Sequence, residues 1–368
     1  MTLTPTPDRA PLLREMTAAL SAMPDPTACG HLRSFEDEAA HALGTGHAVA
    51  VSSGTAALHA ALSACGIGPG DEVLVPALTV IMTVAPVRAL GAMPVFVDSD
   101  PATLDLDYED AAQKVTPRTR AIIPVHLWGR MGDPGTLAAF ASERGLTIVE
   151  DAAQAIGTIR NGRPAGTVGT VGCFSMKDGK ILWSGEGGAL ITDSGQIAEH
   201  ARAFRSHWQP APPGEAPLSR LATNSRLAAP LAALALANLR HLPALLERRR
   251  AQTRYLLNAL ERIPGLTALA PAADEEWNGF SPLLHIGLSR PRAFAEHLAQ
   301  QGVPNSTGSF RLVPCDTRPP FPRPQQPCRG TAEILDHTLA VVLAEGDTQA
   351  TLDHYTDVIT RAASTWTP

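Results

Sequence analysis

Two lysines three residues apart, Lys177 and Lys180, stand in CFSMKDGKILWSGEGGAL (173–190) beside Ser175 and glycines that flank Glu186. A lysine is ordinarily a solvated charge; made neutral by burial, its amine is a nucleophile and a base. Asp178-Gly179 is a turn signal, which puts Lys180 on a loop between two strands. A nucleotide P-loop does not fit, because six residues separate Gly172 from Gly179 where that motif has four, and Ile181 replaces its Ser or Thr. Two other stretches carry chemistry. VSSGTAALHAAL sets Ser53, Gly54 and Thr55 where a strand hands over to a helix, and the unpaired N–H groups of such a start attract an anion, although plain N-capping uses the same residue types. LTIVEDAAQAIG ends a strand with Glu150 and Asp151; a carboxylate there faces a bound cationic ring nitrogen or caps the next helix.

An anion cradle, a strand-end carboxylate and a loop amine preceded by a serine are what pyridoxal phosphate requires of a protein, on its phosphate, its ring nitrogen and its aldehyde respectively. No H-E-x-x-H, paired-cysteine or G-x-S-x-G pattern offers a rival chemistry, so no metal site is expected. His126 in PVHLWG ends a predicted strand and either lines a pocket or is a hydrogen-bonded structural residue.

The elements that must hold these groups alternate. From about residue 47 to 192, EVLVP, MPVFVD, RAIIPVHL, LTIVED, VGCFSM and GALIT read as strands, and GTAALHAALSAC, VIMTVAPVRAL and DPGTLAAFASERG as helices. The pattern predicts an α/β fold, a mostly parallel sheet flanked by helices. Residues 225–263 form a Leu/Ala/Arg helical pattern that Pro243 should kink or divide. SPLLHIGL reads as a strand, and residues 312–330, with six prolines, as a loop. The expected organisation is a large cofactor-binding domain over 1–245 and a smaller C-terminal α+β domain over 246–368.

Composition narrows the partners. With 30 basic and 36 acidic residues the net charge is −6, which offers phosphate backbones or anionic lipid no long-range attraction, so neither nucleic acid nor membrane is an expected partner. Five cysteines, at 29, 65, 173, 315 and 328, form no C-x-x-C pair and suit a reducing, cytoplasmic setting.

The order of these blocks, from SFEDEAAHALGTGHAVAVSSGTAALHAALSACGIGPGDEVLVPALT through IIPVHLWGRMGDP and TIVEDAAQAIGT to CFSMKDGKILWSGEGGALIT, resembles the DegT/StrS-type sugar and cyclitol aminotransferases. The likeness runs roughly from residue 33 to 255 and implies the fold type I architecture of pyridoxal-phosphate enzymes. It puts the family's Schiff-base lysine on Lys180, leaving Lys177 as a surface or phosphate-side charge. Asp151 falls on the acid facing the pyridine nitrogen and Gln154 on the His/Gln position near the ring. Ser175 matches the hydroxyl that reaches the phosphate, and Gly54 with Thr55, after Ser53, the amide cradle. In ATNSRLAAPLAALALANLRHLPALLERRR, Asn224 matches the asparagine that reaches the phosphate of a neighbouring subunit, which implies a homodimer with active sites at the interface.

The implied reaction moves an amino group from a small-molecule amino donor, glutamate or glutamine, to a keto acceptor such as a keto sugar or ketocyclitol. Two alternatives stay open: another reaction of the same cofactor, such as dehydration or epimerisation, and a non-catalytic regulatory homologue. Family members that dehydrate sugars carry histidine at the lysine position, which favours amine transfer here. Three positions depart from the pattern. Val80 stands where an aromatic residue usually stacks on the cofactor, Trp208 stands where glycine is usual, and the C-terminal His-Tyr block is absent.

Overall fold

The computed structural model describes residues 10–22, 30–321 and 326–367. Two helices, α1 (Ala10–Ala22) and α2 (Gly30–Leu43), precede β1 (His47–Val51) and α3 (Gly54–Ala64). Then β2 (Glu72–Pro76), α4 (Ile81–Ala89), β3 (Met93–Val97), α5 (Tyr108–Lys114), β4 (Thr119–Ile122), α6 (Pro134–Arg144) and β5 (Thr147–Asp151) alternate. The short strands β6 (Ile159–Arg160) and β7 (Arg163–Pro164) lead to β8 (Val171–Ser175) and β9 (Gly188–Thr192), followed by α7 (Gly195–Phe204) and α8 (Ala229–Arg240). The remainder holds α9 (Leu242–Leu260), β10 (Leu266–Ala268), β11 (Glu275–Glu276), β12 (Leu283–Ile286), α10 (Pro291–Gln300), α11 (Arg329–His337), β13 (Thr338–Ala340) and α12 (Gln349–Thr365).

Seven strands form the main sheet in the order β1-β9-β8-β5-β4-β2-β3. The pairs from β8 through β5, β4 and β2 to β3 are parallel, whereas β9 runs antiparallel to both neighbours. Crossovers that cover both faces keep these strands largely buried and mainly apolar, and β2 and β9 are buried at every position. One layer packs Leu58, Leu62, Val84 and Phe204 against one face of the sheet; a second packs Phe35, Leu236 and Leu239 against the other.

Local chemistry sets the element ends. Ser53, extended at φ −167°, caps α3 by accepting from the Ala56 N–H. Asp133 and Pro134 start α6 and left-handed Gly145 stops it. The strand expected over RAIIPVHL ends at Ile122: Pro124 brings no N–H to the ladder, Val125 makes only an isolated bridge to Asp151, and Leu127–Gly129 turns as a 3-10 helix. Pro243 lies in the first turn of α9, where a missing N–H is harmless, and the chain bends by 69° between α8 and α9.

A second sheet, β10-β12-β13, is covered by α9, α10 and α12 around Leu256, Leu284, Phe294 and Ile359. The division expected after residue 245 falls inside α9. Of the proline-rich stretch 312–330, residues 322–325 lie outside the described residues; the rest is mostly irregular, but Cys315–Thr317 makes a 3-10 turn after Pro314 and α11 starts at Arg329, so it is not loop throughout. Among the described residues no single helix is long and apolar enough to cross a membrane.

Candidate active site

A cavity of about 500 Å³ opens beyond the carboxyl ends of β1, β5 and β8. Ser53, Gly54, Thr55, Val80, Asp151, Gln154, Ser175 and Lys180 all line it. Residues spread over 128 positions of sequence are thus brought together by the parallel strands.

The α3 start lies directly against the end of β8. A Cβ added at Gly54 would come within 2.8 Å of the Ser175 Cβ, and one added at Gly188 within 2.4 Å of the Ser53 carbonyl carbon. Only glycines allow this approach, which leaves first-turn amides of α3 beside the Ser175 hydroxyl. Exposed Lys177 adds a positive charge to the same wall, its N–H donating to Ser175 Oγ at 3.4 Å.

Strand alternation separates the two adjacent acids. Glu150, fully buried, accepts from the amides of Gly166, Val168 and Gly169 and pairs with His126 Nε2 at 2.9 Å. It and His126 are therefore structural. Asp151, on the other face, lines the cavity; it accepts from Thr83 Oγ1 at 2.7 Å and from the Ala153 N–H at 3.1 Å. Thr83 is itself linked to Thr79 at 2.8 Å. These threonines were not singled out from sequence; their i, i+4 spacing inside the apolar run LTVIMTV was the available signal.

Lys180 sits on the β8–β9 connection, in a turn closed by left-handed Gly179 and by the Asp178 N–H donating to the Gly185 carbonyl at 3.0 Å. Burial pushes its ammonium down to about 8; Asp151 counters that shift and Lys177 adds to it. Among the described residues its Nζ has no hydrogen bond or ion pair, and lies 5.2 Å from the centre of the Phe280 ring.

Gln154 accepts the Trp128 N–H at 2.5 Å. Trp128 holds φ at +58°, a conformation rare for a bulky residue, and is fixed by its own indole N–H on Ser306 and by the Trp277 indole on its carbonyl. Of the tryptophans at 128, 183 and 208, only Trp128 lines this cavity. Trp208 is 1% exposed within the main core, so it packs and does not reshape the site. Asn224 is exposed and does not line the cavity of its own chain.

Sequence reasoning missed the far wall. Phe280, Ser281, Ser306, Phe310, Leu312, Arg318 and Val342 come from the C-terminal third, where neither motif nor resemblance was available. The residues present fit a phosphate, a ring cation and an aldehyde: a glycine-only cradle at α3, a hydrogen-bonded buried acid and a desolvated amine.

A family profile matches residues 18–359, nearly the whole chain. The chain belongs to the DegT/DnrJ/EryC1/StrS aminotransferase family. It is 39% identical over 279 residues to the dTDP-3-amino-3,4,6-trideoxy-alpha-D-glucose transaminase of Streptomyces venezuelae, covering 75% of this chain and 72% of that one. It is 38% identical over 282 residues to a pleiotropic regulatory protein of Geobacillus stearothermophilus, covering 75% and 73%. The solved structure of S. venezuelae DesV superposes with a TM-score of 0.86 at 32% identity over all of both chains. Pyridoxal phosphate is the cofactor of this DegT/DnrJ/EryC1/StrS member, and its fold is that of the pyridoxal-phosphate aminotransferases.

Proposed function

We propose that this aminotransferase transfers an amino group from glutamate or glutamine to a keto sugar, ketocyclitol or related cyclic ketone in a biosynthetic pathway, with Lys180 as the residue that bonds the cofactor. The observation that carries the assignment is Lys180 itself: a partly buried amine held down to about 8, opposite a carboxylate, in the cavity where the α3 cradle lies.

Bound pyridoxal phosphate supplies an aldehyde that condenses with amines and a ring that takes up the electron pair left when a Cα proton departs. Each residue then has a task. The Gly54 and Thr55 amides, with the Ser53 cap and the Ser175 hydroxyl, hold the phosphate. Asp151, kept in place by Thr83 and the Ala153 amide, holds the ring nitrogen's proton. Gln154 and Val80 border the ring. Lys180 Nζ would take the proton from the donor's Cα as a general base and, as the ammonium, give it up at a different carbon so that the amino group can leave the donor; a general base so placed contributes about 10² to 10⁴-fold. Near neutral pH an amine of this pKa is mostly ammonium but keeps a neutral fraction, where an ordinary lysine has almost none.

The reading includes a homodimer in which exposed Asn224 reaches the partner's phosphate, and a reducing cytoplasmic setting, supported by free Cys65, Cys173, Cys315 and Cys328. It treats residues 1–245 as the cofactor-binding domain and 246–368 as the smaller one. One relative bears a regulator's name, but binding alone needs neither a depressed lysine nor its opposing acid.

Borohydride reduction of the holoprotein followed by peptide mass spectrometry tests the assignment. The adduct is expected on Lys180, kept in Lys177→Ala and lost in Lys180→Ala; the reverse pattern overturns it. Stoichiometric release of keto acid from the donor separates transamination from dehydration, epimerisation and mere binding.

A further inference from the structure

Phe280 lies outside every motif in the sequence, yet its ring centre is 5.2 Å from Lys180 Nζ and 5.8 Å from the guanidinium carbon of Arg249. Two cations on one aromatic ring are unusual, and here neither is well solvated: Arg249 is 3% exposed. A cation near the face of a ring is attracted by its quadrupole, more strongly as water is removed.

The ring's place is tightly determined. Asn278, fully buried, donates to the carbonyls of Gln154 and Ile156 at 2.8 and 3.0 Å and accepts the Phe280 N–H at 2.9 Å. Thr253 Oγ1 holds the Gly279 carbonyl at 2.7 Å, and Arg249 donates to the Phe280 carbonyl at 3.2 Å. A Cβ at Gly129 would come within 2.9 Å of the Phe280 Cβ and 2.2 Å of Asn278 Oδ1. The segment that carries the ring is thus tied to the chain just after Asp151 and to α9, while Lys180 comes from the β8–β9 connection. Such fixation is more than a core phenylalanine needs, since dispersion contacts tolerate small displacements that a directional contact with one ammonium does not.

We propose that Phe280 is a positioning residue for Lys180: its ring seats the lysine Nζ and favours the ammonium that forms each time this amine takes up a proton. The proposal rests on the reading of Lys180 as the active amine. Burial, Asp151, Lys177 and the ring then act on one nitrogen; of the other charged groups around it, Arg248, Arg249 and Glu345 share a second small cavity with Lys180, and Asp178, Glu186 and Arg318 line the main one. Burial and Lys177 favour the neutral amine that starts the reaction; Asp151 and Phe280 favour the ammonium that follows proton uptake.

The test is trace acetylation of the full-length, cofactor-free chain between pH 6 and 10, with Lys180 and Lys177 read separately by peptide mass spectrometry. Phe280→Leu keeps an apolar side chain and removes the quadrupole, so the midpoint of Lys180 labelling should move about 0.5 to 1.5 pH units toward acid. Phe280→Tyr should keep the original midpoint, and labelling of exposed Lys177 should be alike in all variants. A trifluorinated phenylalanine at position 280 weakens the quadrupole at nearly constant shape; it should move the midpoint the same way and covers the case in which the leucine variant does not fold. No shift, or a shift toward base, in the leucine or fluorinated protein overturns the proposal. Failure of the reading beneath it is distinguishable, because borohydride would then place the adduct on another residue whatever stands at 280.

Discussion

Because burial holds the Lys180 ammonium down to about 8, the cofactor-free fold is less stable below that pH than it would be with an apolar side chain. The unfolded chain binds this proton up to about pH 10.5 and the folded chain only to about 8, so stability rises with pH between those values. Lys180→Met should therefore raise the apoprotein's melting temperature at pH 7, by at most about 3 kcal/mol in stability, and the gain should fade as pH approaches 10. Thermal scans of both proteins across pH check the sign. Thr83→Val removes the hydroxyl that donates to Asp151 at 2.7 Å and leaves the shape nearly unchanged. Loss of one hydrogen bond to a charged group is worth about 1.5 to 3 kcal/mol, so the cofactor's dissociation constant should rise roughly 10- to 100-fold in an absorbance titration. At Val80, Phe adds an aromatic face beside the ring site; about 0.5 to 1.5 kcal/mol means tighter cofactor binding by roughly 2- to 10-fold. Unchanged affinity would show that another ring already covers that face.

Elements place these residues, and the tightest tolerance is at the start of α3. Gly54→Ala brings a methyl within 2.8 Å of Ser175 Cβ, so the helix start must draw away from β8. The expected result is weaker retention of pyridoxal phosphate and of inorganic phosphate with little loss of melting temperature, measured by titration and by thermal scan. This element was legible because strand, small-residue turn and amphipathic helix are written contiguously in AVAVSSGTAALHAAL. The same holds for Asp151 at the end of β5 and Lys180 after β8, where local propensity and position on the sheet agree. The strand over RAIIPVHL was read too long because the apolar pattern continues past Pro124, while ladder pairing stops before it. Thr83 and Phe280 were illegible for another reason: a threonine in an apolar helix and a phenylalanine after Asn-Gly take their roles from neighbours 68 and 100 positions away, which no local period encodes.

At the scale of the molecule, the exposed Asn224 gives the dimer reading a direct check. If each site takes its asparagine from the partner, Asn224→Ala and Lys180→Ala chains should each be nearly inactive alone, yet regain activity when co-expressed, because one site of the mixed dimer has both residues intact. Light scattering should report twice the chain mass. No recovery from a verified mixed dimer would show that the sites are self-contained. The cavity's two walls have different origins: the residues read as cofactor-side sit on the main sheet and its helix start, whereas Phe310, Leu312 and Arg318 stand on an irregular excursion that touches the main sheet just past the carboxyl end of β2, through the Cys315 N–H on the Ala77 carbonyl. On the proposed reading, such a division predicts that mutation can revise the choice of ketone in a segment with little ladder or helix to disrupt, while the residues assigned to vitamin B6 are sheltered by the packing of an entire sheet. Diversification among these enzymes should accordingly accumulate on the excursion, and exchanging that segment between relatives is the shortest route to a new acceptor.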